Sequence, residues 1–339
     1  MTVLRGVRAG LLLFLVFSPF SPAACGGATE PAKQPEPVPL DDGPGGPAGP
    51  GQGPSAAPSS AKVDAGMKAI EKKDFAEAKK VLAEAHADNP KDAQAAYYLG
   101  VAEEGLGETD AATDAYKAAL ALDGKLVEAA VNLSAILLDK QDAKGALDVI
   151  DGGLAVAPKH PGLLLNRALV LEATGDAGAA KAYGAAADAA PDNAELRYTY
   201  AELLARAGKK SEAVAELKKL EGADAKVEGA AGNLYGQLGA FAECVAAVDK
   251  AISAGATAAL HVVRGACRHE MHDDAGAEKD YQAAIGLDAK FALAHYYMGQ
   301  HHRAKGKKKE ALAELKLAAE LAKGTKLGAK AEKELAEIK

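Results

Sequence analysis

The chain has 339 residues and a formal net charge of −7, so its overall charge gives no sign of nucleic-acid binding. Aromatic residues make up 5% of the sequence, tryptophan is absent and 36 residues are glycine. Alanine and glycine stand where a single globular core would use bulky residues, and no apolar run reaches the roughly 18–20 residues that a membrane-spanning helix needs.

An export signal is predicted at residues 1–24, where two arginines precede the apolar run AGLLLFLVF. The tetrapeptide PAAC follows and ends at Cys25. It resembles the lipobox of bacterial lipoproteins, which has an aliphatic residue where this chain has Pro22. The resemblance implies cleavage before Cys25 and lipidation of its thiol and its new amino group. The alternative is ordinary cleavage after Ala23, which leaves Cys25 unmodified.

Lipidation would place the protein at a membrane facing the periplasm. Two or three acyl chains, palmitate among them, would hold it firmly, because one chain alone binds marginally. Gly26 after the cysteine is similar to the enterobacterial signal for the outer membrane. The segment 25–60 is predicted to be a disordered linker, since residues 26–60 hold nine of the fifteen prolines. Fully extended at about 3.1 Å per residue, it would reach roughly 100 Å.

From residue 61 onwards apolar residues recur at helical spacing, and a set of three small positions recurs eight times. The middle members are Ala78, Ala112, Ala146, Ala180, Ala213, Cys244, Ala277 and Ala311. Small residues let two antiparallel helices approach closely, so each unit is predicted to be a helix hairpin. Five glycines fall at the turn, where a helix can end in a left-handed residue: Gly107, Gly175, Gly208, Gly239 and Gly306. Four aspartates follow the turn position and are suited to capping the second helix: Asp74, Asp142, Asp176 and Asp273.

This pattern resembles the tetratricopeptide repeat over about residues 59–325. The small positions match, as do the closing prolines Pro90, Pro158 and Pro191. The first large position of the family, usually tryptophan, is filled here by residues such as Ala96, and the fifth repeat carries Leu220 where alanine is usual.

The resemblance implies an all-α fold, a right-handed α-solenoid of about eight helix-turn-helix repeats over residues 61–325. The polar stretch 326–339 is predicted to be a capping helix. Each unit cannot bury its own apolar face, so neighbouring units are expected to stack.

In the resembling family the first helix of each repeat lines a concave groove. Mapped onto this sequence, its inward positions are Tyr97, Val101, Glu104, Val131, Leu138, Leu165, Leu169, Glu172, Tyr198, Glu202, Asn233, Val262, His269, Tyr296, Gln300 and Arg303. Such a groove suits an extended or helical peptide of a partner. The alternative is that some of these side chains belong to the core between repeats. The family's carboxylate clamp is not complete here.

Two cysteines remain if Cys25 carries lipid. Cys244 begins the second helix of the sixth repeat, and Cys267 lies in the first helix of the seventh, which should pack beside it. They either form a disulfide that staples the two repeats or stay separate core thiols.

The sequence has no phosphate-binding loop, no GxSxG and no HExxH, so no catalytic residue or cofactor is predicted. Six of the eight histidines lie after residue 260, and the spacing of His269 and His272 on a helix could share a metal ion. Because His272 falls at a turn, solvated histidines are the competing interpretation, and no metal ligand is assigned. From His301 onward the sequence is basic. This segment is predicted either to be a solvated capping face or to bind an anionic lipid or polymer.

We therefore expect a non-catalytic scaffold that binds a partner protein. It would be anchored by lipid at the periplasmic side of the bacterial outer membrane, in the assembly of a pilus, secretion, motility or cell-wall complex. A homo-oligomeric structural subunit is an alternative within this class. A metal-binding or enzyme-accessory role of the histidine-rich repeats, and a cytosolic repeat adaptor, are alternatives outside it.

Overall fold

The computed structural model describes residues 60–338. The predicted signal segment 1–24, Cys25 and the linker up to residue 59 lie outside the described residues. Between residues 60 and 338 the chain forms 17 α-helices and no strand. None of these helices is both long and apolar enough to span a bilayer.

The described part of the chain divides into two compact units between Asn193 and Ala194, and each unit holds four helix hairpins. In the first unit the helices are α1 (Ala61–Glu71), α2 (Phe75–Asp88), α3 (Ala93–Gly105), α4 (Thr109–Leu122), α5 (Val127–Asp139), α6 (Ala143–Val156), α7 (Pro161–Ala173) and α8 (Ala179–Ala189). In the second they are α9 (Ala194–Arg206), α10 (Lys210–Lys218), α11 (Ala225–Leu238), α12 (Phe241–Ala254), α13 (Ala258–Glu270), α14 (Asp274–Leu287), α15 (Ala292–Ala304), α16 (Lys308–Leu321) and α17 (Lys326–Ile338).

Each hairpin packs on the next within its unit, which confirms the predicted all-α solenoid architecture. The second helix of a hairpin contacts the first helix of the following one, as α4 contacts α5 and α12 contacts α13. First helices also contact each other, as α5 contacts α7 and α13 contacts α15. Within each unit the first helices thus form one layer and the second helices the other.

A left-handed residue makes the turn inside every hairpin. The five predicted glycines have φ between 69° and 84°, which confirms the prediction. The other three hairpins turn at Lys73, Gln141 and His272, with φ of 60°, 61° and 64°. Residues with a Cβ seldom adopt this conformation, so the turn geometry is imposed by the packing of the two helices.

Three of the four aspartates cap their second helices as predicted, each accepting a hydrogen bond from a backbone N–H group: Asp74, Asp142 and Asp273. The prediction is wrong for Asp176. Its carboxylate accepts from the N–H of Gly178, at 2.7 Å, and α8 begins only at Ala179. Asp176 therefore closes the turn, and the helix starts without a side-chain cap.

In the interior of the hairpins a small residue of the first helix lies close to a large residue of the second helix. Five first helices place a glycine against the side chain sixteen residues later: Gly66 on Leu82, Gly100 on Tyr116, Gly232 on Val248, Gly265 on Tyr281 and Gly299 on Leu315. All five large side chains are fully buried. The fifth hairpin is shorter, because α10 has only nine residues and the buried Leu220 lies beyond its end.

Substituting Gly100 tests this packing. A Cβ at Gly100 would lie 2.7 Å from Cε1 of the buried Tyr116, so Gly100→Ala should destabilise the protein by about 1–3 kcal/mol through overpacking. Gly152 is the matched control, because it lies in helix α6 with nothing within 4 Å of a built Cβ. There the higher helix propensity of alanine should stabilise by about 0.5–1 kcal/mol. Urea unfolding measures both changes, and stabilisation by Gly100→Ala would contradict the packing.

Candidate functional site

The predicted groove residues do not all reach the surface. Tyr97, Val101 and Leu138 in the first unit are at most 9% exposed, as are Val262 and Tyr296 in the second. They belong to the core because neighbouring first helices contact each other and cover these positions. For these five residues the alternative interpretation, inter-repeat core, describes the structure.

The remaining predicted residues of the first unit are half-buried and form what we call the first inner face: Glu104, Val131, Leu165, Leu169 and Glu172. Its apolar part spans α5 and α7. A Cβ built on Gly162 of α7 would lie 3.3 Å from the side chain of Val131 of α5. The buried Asn166 fixes these helices to each other, because its amide donates to the Val131 carbonyl, at 2.9 Å, and to Ser134 Oγ, at 2.8 Å.

A tyrosine of the same hairpin holds each carboxylate of the first inner face. The hydroxyl of Tyr116 donates to Glu104 Oε2 at 2.7 Å, and Asn132 Nδ2 donates to that hydroxyl at 3.1 Å. The hydroxyl of Tyr183 donates to Glu172 Oε2 at 2.5 Å. Both carboxylates are therefore partly satisfied inside the protein.

Burial raises the pKa of Glu104 and of both tyrosines. Desolvation raises the pKa of Glu104, and the hydrogen bond from Tyr116 opposes that rise. Desolvation also raises the pKa of Tyr116 and of Tyr183, each next to a carboxylate. The hydroxyls thus remain donors across the ordinary pH range.

These tyrosines and Asn132 were missed at the sequence level. The available signal was a glutamate at the end of a first helix followed by a tyrosine eleven or twelve residues later.

The second unit offers fewer open positions. Tyr198, Glu202 and Asn233 are half-buried, and Tyr198 packs at the edge of the core around Ala201 and Leu217. Desolvation raises the pKa of Glu202, and a hydrogen bond from Tyr198 opposes it.

Helix α17 contacts the predicted groove residues of the last hairpin. The Tyr296 hydroxyl and the Gln300 amide both donate to Glu334 Oε1, at 2.6 and 2.7 Å. Arg303 donates to Glu337 Oε2 at 3.2 Å. These polar groups are committed to the C-terminal helix, so we do not assign them to partner binding.

Cys244 and Cys267 form a disulfide, with their Cα atoms 6.5 Å apart. Both cysteines are completely buried. The bond joins α12 to α13 and so links the sixth hairpin to the seventh, which is the first of the two alternatives left open by the sequence.

The histidines of the second unit do not all lie together. His272 is exposed at its left-handed turn and does not share a site with His269, which lies near Asp274 and His301. His295 Nδ1 lies 2.6 Å from Glu314 Oε2, and His261 Nδ1 lies 3.1 Å from Asp280 Oδ1.

Asp280 is the centre of a buried ionic network that sequence reasoning missed. Its carboxylate, 2% exposed, accepts hydrogen bonds from Arg264, at 2.5 Å, and from Arg268, at 2.8 Å. Arg264 also donates to Asp249 at 2.6 Å. The network connects α12, α13 and α14, and buried charges of this kind are stable only when paired.

Two family models, both described as tetratricopeptide repeat, match residues 63–126 and 171–238. No curated protein sequence matches the chain.

Several solved structures are similar to part of this chain. Yeast Tom70 is 15% identical, with 85% of this chain and 66% of that chain covered, at a TM-score of 0.44. MamA is 22% identical, with 47% of this chain and 88% of the MamA chain covered, at a TM-score of 0.43. A thermophilic TPR protein of Thermus thermophilus is 25% identical, with 48% of this chain and 90% of that chain covered, at a TM-score of 0.38. We draw no functional conclusion from structural likeness of this degree.

The pKa of Glu104 gives a testable pH dependence. Because burial raises this pKa, the folded state holds the proton more tightly than the unfolded state, and the resulting stability is lost as pH rises through the folded-state value. Glu104→Gln cannot titrate and keeps an acceptor for Tyr116. The stability of the variant relative to the wild type should therefore increase from pH 4 to pH 7 in urea unfolding.

Asp110→Asn is the control for that series, because the hydrogen bond from Lys140 lowers the pKa of Asp110. Its relative stability should not increase over the same range. A flat profile for Glu104→Gln would contradict the assigned environment of Glu104.

Proposed function

We propose that this chain, which is a tetratricopeptide repeat protein, binds a segment of a partner protein on the first inner face. The observation that carries the proposal is the partly exposed apolar surface of Val131, Leu165 and Leu169, which spans two first helices in contact. An extended or helical peptide can cover such a surface with its own apolar side chains.

The polar rim of this face supports the same function. Glu104 and Glu172 are held in place by tyrosine hydroxyls, so binding would not have to order them. One oxygen of each carboxylate accepts the tyrosine hydrogen bond, and the second oxygen would accept one from a donor on the partner. The affinity would come from the apolar contacts and the orientation from the rim.

We further propose that the protein is a lipid-anchored scaffold of the bacterial envelope and acts without catalysis. The PAAC tetrapeptide at Cys25 and the apolar run before it support lipidation. The proline-rich linker would let the repeats work away from the bilayer. The disulfide supports exposure to an oxidising compartment such as the periplasm, where disulfides persist. The partner would belong to an assembly such as a pilus, secretion, motility or cell-wall complex.

The binding face is tested by a crosslinked pull-down from solubilised native envelopes. The variant Leu165→Ala with Leu169→Ala removes two apolar contacts and should reduce recovery of a discrete partner about tenfold or more, since interface anchors are often worth over 1 kcal/mol each. Leu122→Ala with Val156→Ala is the matched control, because these exposed residues lie at the ends of second helices. Circular dichroism confirms that both variants are folded.

Equal loss of the partner in both variants, or retention in the inner-face variant, would exclude the first inner face as the binding site. If the wild type and the control variant recover the partner and the inner-face variant does not, the first inner face is the binding site. The identity of the partner then indicates the assembly.

Lipidation is tested by Cys25→Ser. The wild type should partition into membranes and carry acyl groups on the N-terminal peptide in mass spectrometry, whereas the variant should lose the acyl groups and become soluble. A soluble wild type with unmodified Cys25 would contradict the anchor and leave the protein-binding proposal standing.

A further inference from the structure

A group of metal-ligand side chains lies between the seventh and eighth hairpins, within the second unit. His269 is near the end of α13, Asp274 is the first residue of α14, and His301 lies on α15. One ring nitrogen from each histidine and one carboxylate oxygen of Asp274 lie within 4.8 Å of one another. Stacking of the hairpins thus brings together residues that are up to 32 positions apart in the sequence.

The ring of His301, one of the three residues of this group, has a nitrogen without a hydrogen bond in the described part of the chain. Its side chain is 2% exposed, and its Nδ1 is buried with no hydrogen-bond partner among residues 60–338. Nδ1 of His269 is also buried, and it faces Asp274 Oδ1 at 3.3 Å. A buried nitrogen without a hydrogen bond is unfavourable, so Nδ1 of His301 favours a ligand at this place.

Neighbouring charges hold the group in position. Asp274 Oδ2 accepts a hydrogen bond from Lys305 Nζ at 2.5 Å, while Oδ1 lies 3.3 Å from His269 Nδ1. The other ring nitrogen of His301, Nε2, lies 3.5 Å from Glu278 Oε2. Hydrogen bonds to neighbouring groups orient metal-binding side chains in this way.

We propose that His269, Asp274 and His301 bind one divalent transition-metal ion, with zinc as the preferred ion. Two imidazoles and one carboxylate suit zinc, whereas calcium and magnesium prefer oxygen ligands alone. Glu278 stands beside the ring of His301, where it can orient the imidazole or supply a further oxygen.

Metal binding requires the three ligand atoms to move closer together. Zinc bonds of about 2.0–2.1 Å place tetrahedral ligand atoms about 3.4 Å apart, so the side chains must approach by up to about 1.4 Å. His269 and Asp274 are half-buried and can rotate, and the buried His301 would stay in place.

Bound metal would tie α13, α14 and α15 together. The site lies in the second unit and shares no residue with the first inner face, so its test is independent of the proposed function.

Isothermal titration calorimetry of the untagged, chelator-treated full chain with zinc chloride tests the proposal. The wild type should bind one tightly held ion, and His269→Ala should weaken binding at least tenfold. His272→Ala is the matched control, because it removes a nearby exposed histidine outside the group, and it should leave affinity unchanged. His269 is chosen over His301 because its half-exposed side chain can be removed without opening the core.

Two further measurements use the same variants. Zinc should raise the midpoint temperature of unfolding of the wild type and of His272→Ala, and not that of His269→Ala. Cobalt(II) should give the visible absorption of a tetrahedral site only where His269 is present. No zinc uptake by the wild type, or equal weakening by His269→Ala and His272→Ala, would overturn the proposal.

Discussion

The contact of a first-helix glycine with a large side chain of the second helix is the interaction on which the other features depend. Gly100 against Tyr116 and Gly265 against Tyr281 are two instances, and in both the ring lies where a Cβ would otherwise be. This approach brings the two helices of a hairpin together at a fixed depth. It also leaves the outer sides of the first helices free to pack on the next hairpin. Protein interiors transmit such constraints because they are close-packed.

Close packing also governs the polar groups. A tyrosine that fills the hairpin interior carries its hydroxyl towards the first helix, where Tyr116 meets Glu104 and Tyr183 meets Glu172. In the second unit Asp280 is buried just before Tyr281 and is neutralised by Arg264 and Arg268. Each buried polar group needs a partner. The repeats therefore have different polar networks although their apolar packing is alike.

Much of the fold could be predicted from local patterns. The recurring small positions gave the hairpins, and the five turn glycines fell at left-handed residues, because both depend on short-range geometry. Asp176 was misjudged because α8 starts later than the other second helices. The pattern showed which residue was small and which was large, and this is enough to specify a hairpin.

The candidate sites depend on longer-range geometry, and prediction was weaker there. Tyr97 and Val262 occupy inward positions of the repeat but are buried, because neighbouring first helices contact each other. The sequence of a single repeat does not show this contact. Gln300 bonds α17, whose path no periodicity specifies. His269 was compared with His272, its neighbour in sequence, whereas stacking places it near His301. Such pairings follow from the spacing between hairpins.

The disulfide has a mechanical consequence. In a repeat array each hairpin contacts only its neighbours, so a pulling force along the chain would unravel hairpins one after another. Cys244 and Cys267 are 23 residues apart, and the bond between them removes that segment from the length that force can extract. At about 3.5 Å per residue, roughly 80 Å of chain is withheld. Under load, α12 and α13 would remain tethered to each other after the hairpins on either side had come apart.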